Sequence, residues 1–202
     1  MKRYFVGIVV RVEERTGDTV RPVPTPWLDA GSEKRYEAEA EQPGKHGDIA
    51  ASPLMADLYG ARSTGPDKMI ATLRLARRVH KWSKYDDRKL LRYLGFLRAS
   101  AGTTLTGSLS TADCNTAVVR GWPDADLAGD PTEDTKSTSG GWIEVASIDS
   151  ERSIAIHWTA SKQTSTADST TNAELDSMRS LVQSDGPPIV DLMDFFVASH
   201  HD

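Results

Sequence analysis

The spacing of apolar positions changes character along the chain. Residues 4–12, Tyr4 to Val12, concentrate β-branched and aromatic side chains and predict a strand. Pro22, Pro24 and Pro26 then preclude regular structure. Residues 29–48 are charged and small without periodicity, which predicts an exposed loop. Ala50 to Gly60 predicts a short helix, broken at Ser63-Thr64-Gly65-Pro66. Met69, Leu73, Ala76 and Val79 recur at helical spacing and predict a helix from Asp67 to Trp82. Ser83 followed by Asp86 has capping-box spacing, and Leu90, Leu91, Leu94 and Leu97 form the stripe of a second helix ending at Gly102. The two make a helical hairpin.

From Thr116 the period shortens to that of strands. Three are predicted: Thr116–Trp122, Gly141–Ser147 and Ser153–Trp158, with Asp130–Ser139 as a polar turn region. In the second, Ile143 and Val145 oppose Trp142 and Ala146; in the third, Ile154, Ile156 and Trp158 share a face. A helix begins near Thr170 and runs through Leu175, Met178 and Val182 to an interruption at Gly186-Pro187-Pro188. Ile189–Val197 is a last short helix.

Composition narrows the class. The chain has 202 residues, 38% of them hydrophobic, which supports an ordinary core and excludes disorder, collagen and coiled-coil classes. Its one cysteine, Cys114, excludes an internal disulfide and a multi-cysteine zinc site, and fits a reducing compartment. No apolar run approaches the roughly 20 residues that span a bilayer. The apolar stretch after Met1-Lys2-Arg3 is too short for a signal peptide and runs into Arg11, Glu13, Glu14 and Arg15. The expectation is an intracellular chain with no membrane partner.

The net charge of −5 hides an asymmetry. Residues 62–98 hold 11 basic and 3 acidic side chains, a net of +8; residues 124–202 hold 4 and 15, a net of −11. The basic block, with Arg74, Arg77, Arg78, Lys81, Lys84, Arg88 and Arg92, can track a phosphate backbone or be a solvated helix face. The acidic block can hold a divalent cation or be another solvated face. Asp124 and Asp126 stand at i and i+2 near a strand end, facing one side, as metal ligands or as turn formers. Glu174 lies in the first turn of the following helix, as a ligand or as the partner of Thr171 in a capping box. Tyr85-Asp86-Asp87 is similar to the Y-x-D-D loop of reverse transcriptases, but its flanks are helical and basic, so the aspartates read as a helix start. His200 and His201 beside Asp202 read as solvated.

Four motifs carry a resemblance. Gly121 to Asp130 (Gly-Trp-Pro-Asp-Ala-Asp-Leu-Ala-Gly-Asp) resembles the D-A-D-W-A-G segment of the ribonuclease H domain in copia-type retrotransposon Pol polyproteins. Lys136-Ser137-Thr138-Ser139-Gly140 resembles that family's R-S-T-S-G turn. Ser161-Lys162-Gln163, just after Trp158, resembles its S-K-K-Q, and Ser169 to Leu175 resembles its S-T-T-E-A-E-Y. Leu91-Arg92-Tyr93-Leu94 is similar to an L-R-Y-L pattern in the segment joining polymerase to ribonuclease H, so about residues 49–195 are covered.

The resemblance implies an α/β, ribonuclease H-like fold: three antiparallel strands, then a crossing helix, with a helical hairpin before them. It divides the chain into a loosely ordered polymerase tail (1–48), a helical connection segment (49–110) and a ribonuclease H-like domain incomplete at its C-terminus (111–202). It implies two magnesium or manganese ions, Asp124 and Glu174 as catalytic and metal-holding carboxylates, and Asp126 beside them at the metal. It implies an RNA–DNA hybrid as substrate, cleaved by metal-activated water, with the basic residues 74–88 along its backbone. The remainder of the Pol polyprotein is the implied partner. The implied location is a cytoplasmic retrotransposon particle, with the nucleus as second compartment.

There are departures. Asn172 replaces the first glutamate of E-A-E and Leu127 replaces tryptophan. The family's third carboxylate lies in a C-D-N-like motif on the next strand, and only 28 residues, mostly helical in pattern, follow Glu174. The expectation is therefore little or no nuclease activity. The rival expectation is a non-catalytic nucleic-acid-binding or scaffolding module.

Overall fold

A computed structural model describes residues 1–128 and 135–198. The chain divides into two compact units, Met1–Leu105 and Thr106–Asp202.

The first unit is helical: α1 (Lys2–Thr16), α2 (Ala30–Tyr36), α3 (Gly47–Thr64), α4 (Met69–Arg77) and α5 (Lys84–Ser100). The strand expected over residues 4–12 is instead the body of α1. Phe5, Ile8, Val9 and Val12 stand at i, i+3, i+4 and i+7, and all four are buried. Each β-branched residue lowers helix propensity by less than about 1 kcal/mol, which burial of one apolar face outweighs. Gly17, at φ 73°, closes α1 by bonding its N–H to the Glu13 carbonyl, a left-handed cap that glycine adopts without strain. The loop expected over residues 29–48 contains α2, capped by Asp29, and a 3-10 turn, Glu37–Glu41.

The core of this unit joins the α1 residues to Leu54 of α3, Leu75 of α4 and Leu90, Tyr93, Leu94 and Leu97 of α5. A Cβ on Gly60 would lie 2.7 Å from the Phe5 ring, so glycine sets the approach of α3 to α1. The helix expected from Asp67 to Trp82 is divided into a 3-10 turn (Pro66–Lys68), α4 and a second 3-10 turn (Val79–Lys81). The capping box at the start of α5 is present: the Ser83 N–H donates to the Asp86 carboxylate (2.8 Å) and the Asp86 N–H to the Ser83 hydroxyl (3.3 Å). The hairpin is thus part of a four-helix arrangement with α1 and α3.

The second unit is α6 (Thr111–Cys114), β1 (Ala117–Asp126), β2 (Thr138–Ser147), β3 (Ser153–Lys162), α7 (Thr170–Ser180) and α8 (Gly186–Ala198). The strands form one antiparallel sheet in the order β1-β2-β3. All three are longer than expected. Pro123 does not end β1, because β1 is an edge strand and a missing N–H on its unpaired side breaks no ladder bond. Asp124 and Asp126 therefore lie within the strand, not in a turn after it. A bulge opposite Ile143/Glu144 disrupts the alternation expected in β3: Trp158 pairs with Trp142, while Ile154 pairs with Val145 on the other face.

The prolines do not interrupt the last helix as expected. α7 passes through a π turn (Leu181–Asp185) into α8. Pro187 and Pro188 follow directly on the π turn, an irregularity of the helical ladder at the point where their N–H groups are missing. Leu181 and Ile189 pack on Ile143 against the sheet. An apolar cleft of about 420 Å³ remains between Val119, Gly121 and Val190. Among the described residues, no helix is long and apolar enough to cross a membrane.

Candidate functional site

The chain at the end of β1 and the start of α7 is where the motif residues meet. The N-cap of α7 is Ser169, whose hydroxyl accepts the Asn172 N–H at 3.2 Å. The capping box expected from Thr171 and Glu174 is not formed. Glu174 is released from that role and sits half-buried on the second turn of the helix.

One turn further on, Ser177 is buried and anchors α7 to the sheet. Its hydroxyl lies 2.7 Å from the Asp124 carbonyl oxygen and 3.0 Å from that of Gly140, the residue paired with Asp124. Gln163 completes the bracket. Its side-chain amide donates to the Ser139 hydroxyl (2.9 Å) and to the Ala173 carbonyl (2.8 Å), and its N–H donates to the Ser137 carbonyl (2.8 Å). The S-T-S and S-K-Q motifs are therefore joined to the Glu174 segment through one buried amide. Sequence reading missed Ser177 and the bracketing part of Gln163. The available signal was a serine at the buried i+4 position of the Ala173–Leu181 stripe.

Asp124 is exposed and Asp126 half-buried and engaged. By strand alternation their side chains share a face with Trp122. α7 continues into the π turn across the opposite face, where Leu181 lies within 2.6 Å of a Cβ built on Gly121 and 2.8 Å of one on Gly141. The helix thus touches Asp124 through its main chain, not through its carboxylate. Gly129 and Asp130 of the first motif, and His200, His201 and Asp202, lie outside the described residues.

Asp124 and Glu174 are hard oxygen donors of the kind magnesium takes. Among the described residues, no three His, Cys, Asp or Glu side chains gather around one point. As two donors they fall short of the two-ion set, and Asp124 faces away from α7, the helix that carries Glu174.

Most of the basic residues are engaged within the first unit. Arg78 pairs with Asp86 (3.4 Å), Lys84 and Arg88 both pair with Glu39 (3.1 Å each), and Arg92 donates to the Thr25 carbonyl (3.0 Å). Arg88 beside Glu39 holds that carboxyl below its usual range and is itself raised. Arg74 lies over the Trp27 ring at 5.1 Å, Arg77 is half-buried and Lys81 is exposed. The Tyr85-Asp86-Asp87 aspartates are a helix start: Asp86 is the capping partner, and Asp87 accepts the N–H groups of Lys45, His46 and the Trp82 indole.

No protein-family model, curated protein or solved structure matches the chain. The family reading therefore rests on the four motifs.

Proposed function

We propose that the second unit is a ribonuclease H-like module of copia-type retrotransposon Pol descent, that its ligand is an RNA–DNA hybrid, and that it retains little or no nuclease activity. The observation that carries this reading is the bracket of Ser177 and Gln163. It joins the four motifs around β1 and α7 and leaves Asp124 and Glu174 free of capping roles. The order of three antiparallel strands and then a helix across β1 is compatible with the family's fold.

In this reading Asp124 and Glu174 are the residues that hold magnesium or manganese, and Asp126 stands beside them at the metal. The ion, when bound, supplies charge neutralisation at the scissile phosphate. The chain's own contribution is to fix the Asp124 backbone against α7. Two carboxylates support hybrid binding better than two-ion chemistry. The remainder of the polyprotein and a cytoplasmic particle or nuclear location belong to the same reading.

The test is hybrid binding and cleavage by the 202-residue chain with manganese, beside Asp124→Asn and Glu174→Gln. The expected result is hybrid affinity that manganese raises, loss of that rise in both variants, and negligible cleavage. Cleavage that disappears in Asp124→Asn would keep the family reading and overturn the inactivity. A folded chain whose hybrid binding ignores both manganese and the substitutions would overturn the reading.

A further inference from the structure

The sheet face opposite Leu181 carries three tryptophans in one row. Trp122 of β1 pairs with Trp142 of β2, which pairs with Trp158 of β3. The rings of Trp142 and Trp158 are stacked, with centroids 5.8 Å apart and planes 25° apart. Glu144, on the same face, accepts both the Trp122 and the Trp142 indole N–H at 3.4 Å, and its Oε2 also accepts the Ser153 hydroxyl at 3.0 Å. One carboxylate therefore holds two indoles in place, and Trp122 is still 55% exposed.

Trp142 and Trp158 are half-buried and back the exposed Trp122; an ordered, exposed indole serves recognition because it offers a large contact area with little entropy left to lose. The charge around the row selects the partner. Strand alternation places Asp124, Asp126 and Glu144 against Arg120 and Lys162 on the face of the row, within a unit whose net charge is −11. Asp124 extends from the row on the same face, one strand repeat beyond Trp122. Arg120, the cation paired across from Glu144, is turned to the Ser147 carbonyl (2.7 Å). Such a face attracts cations when no divalent ion is bound. A guanidinium satisfies both features together: its plane stacks on an indole and its N–H fork meets a carboxylate. The chain itself makes such contacts, with Arg74 over Trp27 and Arg88 over Tyr36 at 4.8 Å.

We infer that the Trp122–Trp142–Trp158 row is a docking surface for an arginine-rich peptide segment of a partner protein, with a guanidinium stacked on the exposed Trp122 indole and the peptide's charge met by the carboxylates of that face. This surface stands on the tryptophan row and the acidic field, independently of any nuclease ancestry.

The test titrates the 202-residue chain with an oligo-arginine peptide, an oligo-lysine peptide of equal length and a single-stranded oligonucleotide, following tryptophan fluorescence and calorimetry. The expected result is saturable arginine-peptide binding that quenches fluorescence, with the lysine peptide weaker. Trp122→Ala should weaken the arginine peptide by about tenfold, as one desolvated cation–π contact is lost. Trp122 is exposed, so this variant keeps its fold, which circular dichroism checks; Trp122→Phe should recover part of the loss. Equal binding of both peptides, unchanged by Trp122→Ala, would reduce the face to a plain acidic surface and overturn the inference. Oligonucleotide binding in place of peptide binding, or no binding at all, would overturn it too.

Discussion

Asp57 shows how much a single side chain can carry when its surroundings are supplied by other helices. It is 1% exposed, and its Oδ1 has no hydrogen-bond partner. Its Oδ2 receives both the Thr72 and the Tyr93 hydroxyl. Thr72 Oγ1 also lies 2.8 Å from the Lys68 carbonyl oxygen and 2.7 Å from the Tyr93 hydroxyl. These are four oxygen–oxygen contacts, and the two hydroxyls supply two protons. A protonated Asp57 supplies a third. Lys68 does not neutralise the group by contact, because its ammonium bonds Asp67 (2.8 Å) and lies over the Phe5 ring. Burial pushes the Asp57 carboxyl above its ordinary value of 3.8, against the lowering by the Thr72 and Tyr93 hydrogen bonds and the Lys68 charge. Tyr93 is pushed well above 10.0, by burial first and by Asp57 second. For a carboxyl raised on folding, the folded state holds more protons, so its stability is present below the unfolded value and is lost as pH rises through the folded one. The urea midpoint of the helical unit should therefore fall as pH rises from about 4. Asp57→Asn should flatten that slope, and a slope unchanged in the variant would assign it to another group.

For helices and strands, the deciding contacts are buried polar bonds between elements. Ser177→Ala leaves two β-sheet carbonyls, those of Asp124 and Gly140, without the hydroxyl of α7. The expected loss is about 1–2 kcal/mol, read as a lowered urea midpoint, with faster hydrogen exchange confined to α7 and the ends of β1 and β2. A loss spread evenly over the second unit would contradict the anchoring account. α1 has a similar tie: Glu13 pairs with Arg98 of α5 at 2.5 Å and accepts the Val20 N–H at 2.8 Å. Together these hold its carboxyl below the usual range, Arg98 being the larger cause.

The chain as a whole is two units joined through an exposed stretch. Residues 102–108 are all exposed, and Leu105 within them is 50% exposed. Proteases cut where the backbone is accessible and free of packing. Thermolysin under native conditions should cleave first near Leu105 and yield two resistant fragments, identified by mass. First cuts within α1 or the sheet would argue against two compact units.

The parts of this molecule legible from sequence were those written in neighbouring residues. The Ser83–Asp86 box, the Leu90–Leu97 stripe and the three strands needed only local spacing and a cap within four residues. The 4–12 segment was misread because its residue types favour a strand, whereas its i, i+3, i+4, i+7 spacing had already placed Phe5, Ile8, Val9 and Val12 on one side of a helix. Pro123 reads as the end of β1 until the sheet order places β1 at an edge. Motif order placed Asp124 and Glu174 on a strand and the helix after it. Spacing could not tell that Ser169 would take the cap, that Ser177 would reach two sheet carbonyls, or that the bulge in β3 would turn Trp158 onto Trp142. Local propensity acts over one turn or one strand repeat. The Gln163 bracket, the Asp57 cluster and the tryptophan row each join residues from three separate elements. Their existence depends on register and helix placement, which the packing of apolar faces decides.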